Sequence, residues 1–225
     1  MATIDSALRS NLTGDLTKDG FLYKQDAEAG HRVEEMEVKS IPFASEAGLQ
    51  FYKVNILDDP WFGLGLYRAF GAMAGDYAFR QSDPSSKTES LLIQFWKKGS
   101  KVTFWKGSHL QKVATIKGEN NLWRAPRVTL TKLGLEPVEI YFENGGFSIR
   151  DTRLFVEVSA GSAITFGVAA EDVLKKWWTP MKLPRSLQRV VSDMDGPKFG
   201  MNVTYFDGSY PHGRPLGASP PPLGD

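Results

Sequence analysis

Between Leu91 and Leu110 the chain reads LLIQFWKKGSKVTFWKGSHL, and this stretch constrains the fold more than any other. Two runs of β-branched and aromatic residues flank Lys97-Lys98-Gly99-Ser100, and the second run ends in Gly107-Ser108-His109. Such runs around a glycine-containing turn predict a β-hairpin that carries two tryptophans and one histidine to the end of a sheet. In the first strand Leu91, Ile93 and Phe95 share one face, and Leu92, Gln94 and Trp96 share the other. In the second, Val102 and Phe104 oppose Thr103 and Trp105. Paired as a hairpin, they give one apolar side and one side mixing Gln94, Trp96, Thr103 and Trp105. That mixture suits either a sheet face packed by helices or the wall of a ligand pocket, with aromatic bodies for an apolar ligand and polar groups to orient it.

The same pattern recurs after Pro137. VEIYF, FSIR, LFVEV and SAITFG are separated by turns at Glu143-Asn144-Gly145-Gly146, Asp151-Thr152 and Ser159-Ala160-Gly161, which predicts a β-meander. Further strands are expected at Gly20–Tyr23, Leu49–Leu57, Arg127–Lys132 and Gly200–Phe206. Ile4, Leu8, Leu12 and Leu16, spaced four apart, predict an amphipathic helix, and Glu171–Trp178 and Leu187–Met194 predict two more. Asp26–Lys39 reads as a charged surface loop leading into an edge strand. Trp61–Gly75, with four glycines, reads as a buried helix or a close-packed loop. Nine or ten strands with few helices make the expected class mainly β, a jelly roll or double-stranded β-helix with flanking helices. Residues 1–208 form one domain in this reading, and 209–225, rich in proline and glycine, form a flexible tail.

Composition excludes several functions. With no cysteine in 225 residues there is no thiol nucleophile, thiolate zinc site or iron–sulfur cluster. Twenty-seven basic residues against 26 acidic ones leave a formal charge of +1, without the basic footprint of a nucleic-acid binder. The first twenty residues lack a basic region followed by an apolar run, and no segment approaches the ~18 apolar residues of a membrane span. A cytoplasmic protein is expected, with a small-molecule substrate as partner, no nucleic acid, no membrane, and homodimerisation left open.

The candidate chemistry narrows by elimination. A non-haem iron site takes two histidines and one carboxylate from one face. The chain has three histidines, His31, His109 and His212, and none lies two residues before Asp or Glu. There is no G-x-S-x-G elbow for a serine hydrolase. Glu139, Glu143 and Glu157 are candidates for a carboxylate pair, but Glu139 and Glu157 alternate with Val138 and Val156 as solvent-face residues would. His109 either holds its turn by hydrogen bonding or acts as a general acid or base, with Asp76 its partner by location. Arg150, Asp151 and Arg153 cluster at one turn, where the guanidinia either anchor a ligand carboxylate or pair with Asp151 on the surface.

Thr17–Leu22 (TKDGFL), Phe104–His109 (FWKGSH) and Ser159–Phe166 (SAGSAITF) follow one another in an order that resembles the phytanoyl-CoA dioxygenase family of Fe(II)/2-oxoglutarate oxygenases. They are similar to that family's D-G-F before the first strand, its strand followed by P-G-S-H, and its late G-D-x-x-x-F strand. The form of the motifs most resembles fungal members, where such folds often serve secondary metabolism. The resemblance implies a double-stranded β-helix with a central pocket. It does not carry the iron triad with it: Ala72–Lys87, where the family places its first histidine and aspartate, contains Asp76 and Asp83 but no histidine, and Gly167–Trp177 contains none either. The expectation is therefore a small-molecule-binding protein acting on an apolar substrate without metal or cofactor, as an isomerase, cyclase or dehydratase. An oxygenase with non-standard ligands and a non-catalytic binding protein are the alternatives. The expected catalytic residues are His109 and Asp76, and the expected substrate-binding residues are Gln94, Trp96, Thr103, Trp105 and Arg153.

Overall fold

Four long, bent strands carry the fold. The computed structural model describes residues 12–38, 62–82, 87–118, 121–171, 173–174, 180–194 and 199–208. In chain order the elements are β1 (Thr13–Asp15), β2 (Phe21–Gln25), α1 (Ala27–Val38), β3 (Phe62–Ala78), β4 (Ser90–Trp96), β5 (Ser100–Lys106), a 3-10 turn (Ser108–Leu110), β6 (Ile116–Lys117) and β7 (Trp123–Ala125). There follow α2 (Arg127–Lys132), β8 (Glu136–Phe142), β9 (Gly146–Asp151), β10 (Val156–Ala170), β11 (Met181–Pro184), a 3-10 turn (Arg185–Leu187), α3 (Gln188–Met194), β12 (Phe199–Met201) and β13 (Val203–Phe206). None of the described helices is long and apolar enough to cross a membrane.

The register shows how these strands assemble. The second half of β10, residues 162–170, lies antiparallel between β4 and residues 62–71 of β3. Its first half, residues 156–160, lies antiparallel between β5 and the later part of β3. β4 pairs on its other side with β9, and β5 with β8. β4 and β5 therefore do not pair with each other, nor do β8 and β9. Each couple is one long strand bent at a corner, and the four long strands, 62–78, 156–170, 90–106 and 136–151, lie side by side and fold across the middle into two facing sheets. β2 and β1 extend the first sheet beyond β9, β7 and β6 extend the second beyond β3, and β12 lies parallel beside the start of β3. This is a jelly roll, the double-stranded β-helix expected from the strand count.

The expected hairpin and the expected meander are thus both corrected to corners. At the first corner Gly99 N donates to Phe142 O at 2.8 Å, and Ser100 Oγ closes the turn on Lys97 O at 2.7 Å. The third corner falls at a bulge in β10, where Gly161 (φ +79°) backs onto Ser100. A corner also changes which residues share a face. The period-two alternation runs on through it, so Trp96, Val102 and Phe104 enter one core between the sheets with Phe21, Ile140, Phe142 and Val156. Phe21 stacks on Phe104 at 4.5 Å between centroids, and Trp96 on Phe142 at 5.5 Å. Leu91, Ile93 and Phe95 face outward under α1, while Trp105 faces outward on the second sheet with Leu130 of α2.

Three local expectations also change. Residues 27–38 form a helix, because Asp26 Oδ1 caps it by accepting from Glu28 N (3.0 Å) and Ala29 N (3.1 Å), and Ala29 and Val33 bury against the first sheet. Residues 127–132 are helical: Pro126, with φ −62°, supplies the N-cap, and Leu130 alone is buried while Val128 is exposed, a helical spacing too short to read from six residues. Trp61–Gly75 is neither helix nor loop; from Phe62 it belongs to β3. The helix at Gln188–Met194 appears as expected, and Gly200–Phe206 divides between β12 and β13, which pair with β3 and β11. Leu12 and Leu16 pack on the outer core, but β1 lies between them, so no helix spans them. Residues 1–11, the expected strand at Leu49–Leu57, most of Glu171–Trp178 and the tail lie outside the described residues.

Helix α1 sits on the second corner through two glycines. A Cβ on Gly30 would collide with Asn144 O and lie 2.7 Å from Gly145 Cα. Gly145 itself holds φ +92°. Gly30→Ala is therefore expected to destabilise by ~1–3 kcal/mol through overpacking, although alanine would gain ~1 kcal/mol in an unobstructed helix. Urea unfolding checks this, and an unchanged or raised midpoint would contradict the close approach.

Candidate functional site

The inner face of the first sheet carries a line of polar side chains across three neighbouring strands. Thr165 of β10, Gln94 of β4 and Ser148 of β9 stand at one register level, with Arg150 one step along β9. Gln94 Nε2 donates to Thr165 Oγ1 at 3.1 Å, and Arg150 Nε donates to Gln94 Oε1 at 2.7 Å. Arg150 Nη1 donates to Leu154 O at 3.1 Å, and the guanidinium lies 5.7 Å from the Phe79 ring centre. Trp96 Nε1 donates to Ser148 Oγ at 2.9 Å. Arg150 is 2% exposed. Among the described residues no carboxylate forms an ion pair with it, and its hydrogen-bond acceptors are neutral. Burial pulls the guanidinium down to about 9, against the opposing charge of Asp151. A cation held this deep by neutral groups is poorly compensated.

A second cluster lies at the end of β9. Asp151 is gripped by Arg153, with Nε to Oδ1 at 2.9 Å and Nη2 to Oδ2 at 2.7 Å, and it also accepts from Thr88 Oγ1 at 3.0 Å. Burial alone would raise its carboxyl, but the Arg153 guanidinium outweighs burial and holds it below the usual carboxylate range. His109 stands beside this pair, with Nε2 3.1 Å from Thr17 O. Since a carbonyl only accepts, Nε2 bears the proton and Nδ1 is bare. Burial pulls the imidazole below its ordinary range, more than nearby Asp151 and Asp19 raise it.

A third cluster occupies the outer face of the second sheet. Asp76, 2% exposed, accepts from Trp105 Nε1 at 2.6 Å and from Arg127 Nε and Nη2 at 3.2 and 3.0 Å. Arg127 also reaches Glu157 Oε2 at 2.5 Å, and Glu157 Oε1 accepts from Gly75 N at 3.1 Å. The paired carboxylates hold the Arg127 guanidinium above its ordinary value.

The expected site residues are thus distributed over three places. Gln94 and Trp96 lie inside the sandwich on the Arg150 line. Thr103 and Trp105 lie on the opposite face of the second sheet, so the four do not form one wall; the corner at 97–99 keeps them on opposite parities. Asp76 bonds to Trp105 and Arg127, and His109 to Thr17, with Asp151, Arg153 and Asp19 as its charged neighbours. Arg153 pairs with Asp151 in the interior, not on the surface. The residues missing from the expected site are Arg150 and Thr165. The alternation Phe147, Ile149 against Ser148, Arg150 is the available signal for the first, since it places an arginine opposite an apolar face. Glu139 and Glu143 are exposed, and Glu157 is half-buried under Arg127.

An iron centre of the kind that the resemblance implies needs three convergent donors. Among the described residues no three of His, Asp, Glu or Cys come together. His109 Nε2 is taken by Thr17 O, Asp76 by Trp105 and Arg127, and His31 is exposed on α1. The described residues do not fit that metal.

No protein-family model matches the chain, and no curated protein matches it in sequence. Some solved structures resemble it in fold, at low identity. The iron-bound structure of HygX from Streptomyces hygroscopicus is 12% identical, with a TM-score of 0.48, over 84% of this chain and 93% of that one. The non-haem alpha-ketoglutarate-dependent epimerase SnoN of nogalamycin biosynthesis is 10% identical, with a TM-score of 0.46, over 69% and 80%. The non-haem monooxygenase ThoJ, in its apo form, is 11% identical, with a TM-score of 0.44, over 69% and 75%.

Proposed function

We propose that the protein binds a small, largely apolar organic molecule bearing an anionic group between its two sheets, with Arg150 as the anchor for the anion. Gln94, itself braced by Thr165, sets the direction of the guanidinium, and Trp96 and its aromatic neighbours supply the apolar contact. One observation carries this reading: a buried arginine, with Asp151 nearby, whose hydrogen-bond acceptors among the described residues are all neutral. Fixed charge of that kind is costly to keep in an apolar interior, and a ligand anion would offset the cost. The reaction class that suits such a site is a non-redox rearrangement, an isomerisation, cyclisation or dehydration, in which holding the substrate in a reactive conformation supplies much of the rate. No metal step enters this reading, because the described donors do not assemble a site for one.

The test is binding. Octanoate, benzoate and phenylacetate, added singly at millimolar concentration, are expected to raise the melting temperature of the wild-type protein and to shift the NMR signals of the Gln94 side-chain amide. The neutral amides of the same acids are expected to do neither. If the acids leave the wild type unmoved, or shift Arg150→Met equally, the reading fails.

A further inference from the structure

The turn of residues 15–20 lies across the 107–109 and 151–154 segments like a strap. Asp15 shapes it: its Oδ1 accepts from Thr17 N (2.8 Å) and Lys18 N (3.0 Å), and its main-chain oxygen accepts from Asp19 N and Gly20 N. Three bonds fasten the turn down. Gly107 N donates to Asp19 O and Asp151 N to Gly20 O, both at 2.9 Å, and His109 Nε2 meets Thr17 O. Lys106 adds an ion pair to Asp19 at 3.3 Å.

Beneath the strap His109 is 1% exposed, and its Nδ1 has no hydrogen-bond partner. Gly20 (φ +88°) backs directly onto that nitrogen. A Cβ on Gly20 would lie 2.5 Å from His109 Nδ1 and 2.7 Å from Leu154 Cδ1. Asp19 Oδ1 is likewise buried without a hydrogen bond, although it faces Lys106. These are the two buried side-chain polar atoms without such a partner among the described residues, one belonging to the turn and the other lying beneath it. With Nε2–H committed to Thr17 O, any further proton on the ring must go to Nδ1. There it meets Gly20 and Leu154 and finds no acceptor.

We propose that the 15–20 turn is a proton-operated strap, released from the 107–109 and 151–154 segments when His109 takes a proton on Nδ1. With the strap lifted, Nδ1–H reaches water and the imidazolium is hydrated. The charged groups facing the ring are Asp151 and Arg153 at the end of β9 and Asp19 on the strap, itself paired with Lys106 of β5. Asp151 and Asp19 attract the added charge, Arg153 repels it, and burial outweighs the attraction. The closed form therefore binds the proton less well than the open form, whose histidine has the ordinary value of ~6.5. Falling pH shifts the balance toward the open form from about 6.5 downward. Leu154 O also holds Arg150 Nη1, so the strap covers the segment that braces the anion anchor. On the ligand-binding reading above, mildly acidic solution then loosens that site.

Hydrogen exchange of the ligand-free protein tests the strap independently of any ligand. At pH 5.0 relative to 7.5, after correction for intrinsic rates, protection at the Gly107 and Asp151 amides, which donate to the strap, is expected to fall by a factor of about 3 to 10, while Ile93 and Phe166 keep theirs. In His109→Gln, whose amide can still donate to Thr17 O, the pH dependence is expected to vanish. Wild-type protection that does not change with pH, or an equal fall in His109→Gln, overturns the proposal. If that variant fails to fold, the wild-type imidazole is followed by NMR. Strap amides that shift with the ring's titration support the latch, and a ring that titrates while they stay fixed refutes it.

Discussion

Arg150→Met is expected to raise the melting temperature and to abolish anion binding in the same protein. The guanidinium is fully buried and its proton affinity is pulled down to about 9. From the ordinary value of 12.5, at 1.36 kcal/mol per unit, this puts the cost of keeping the charge at about 5 kcal/mol. Removing it strands Gln94 Oε1 and Leu154 O, at ~1 kcal/mol each if both sit at the low end of the range, and Gln94 stays held by Thr165. Methionine refills most of the volume. The net expectation is a gain of ~1–3 kcal/mol, or about 2–12 °C for a chain of this size. Gain in stability with loss of binding is what a group retained for function shows. A lower melting temperature would make Arg150 structural and remove the observation on which the ligand-binding reading rests.

Arg127→Met is expected to cost ~3–5 kcal/mol, more than Asp76→Asn. The difference follows from which partner is left behind. Arg127 is 54% exposed and can turn to water when Asp76 changes, while an asparagine in place of Asp76 would still offer an oxygen to Trp105 Nε1. Without Arg127, the Asp76 carboxylate stays at 2% exposure with Trp105 as its remaining side-chain donor and no counter-charge, the costly way to break a buried pair. Adding Asp76→Asn to Arg127→Met should then recover more than half of the loss. Urea unfolding of the three variants decides the matter. A loss under ~1 kcal/mol for Arg127→Met would reduce the pair to an ordinary surface contact. The cluster gives Asp76 a structural occupation: through Arg127 it fastens the start of α2 to the outer face of the second sheet.

The difference between a hairpin and a corner explains most of what the sequence leaves unread. Lys97-Lys98-Gly99-Ser100 and Glu143-Asn144-Gly145-Gly146 carry the residues that either arrangement requires, since both need a tight turn with a positive φ. What separates them is where the two flanking strands find partners. β4 finds β9 and β10, and β5 finds β8 and β10, each far away in the chain. The face assignments depend on the same choice. A hairpin places Trp96 beside Thr103, whereas a continuous bent strand places it with Val102 and Phe104. Arg127–Lys132 reads as a strand for a local reason, because six residues with two threonines and a valine carry too little periodicity to outweigh β-propensity.

Local pattern is enough for the elements that depend on local pattern. Period-two alternation marks β4, β5, β8, β9 and both halves of β10, the strand count points to a jelly roll, and the histidine census leaves no His-x-Asp or His-x-Glu pair. It also places Gln94 and Trp96 on one face, because two residues apart on a strand is a covalent fact. Tertiary structure alone decided that Arg150 joins them, that Thr103 and Trp105 do not, that Asp76 belongs to Arg127, and that a bare histidine nitrogen is sealed beneath Gly20. These are contacts between segments far apart in the chain or on opposite sheets, and only the pairing of distant strands brings them within hydrogen-bonding range.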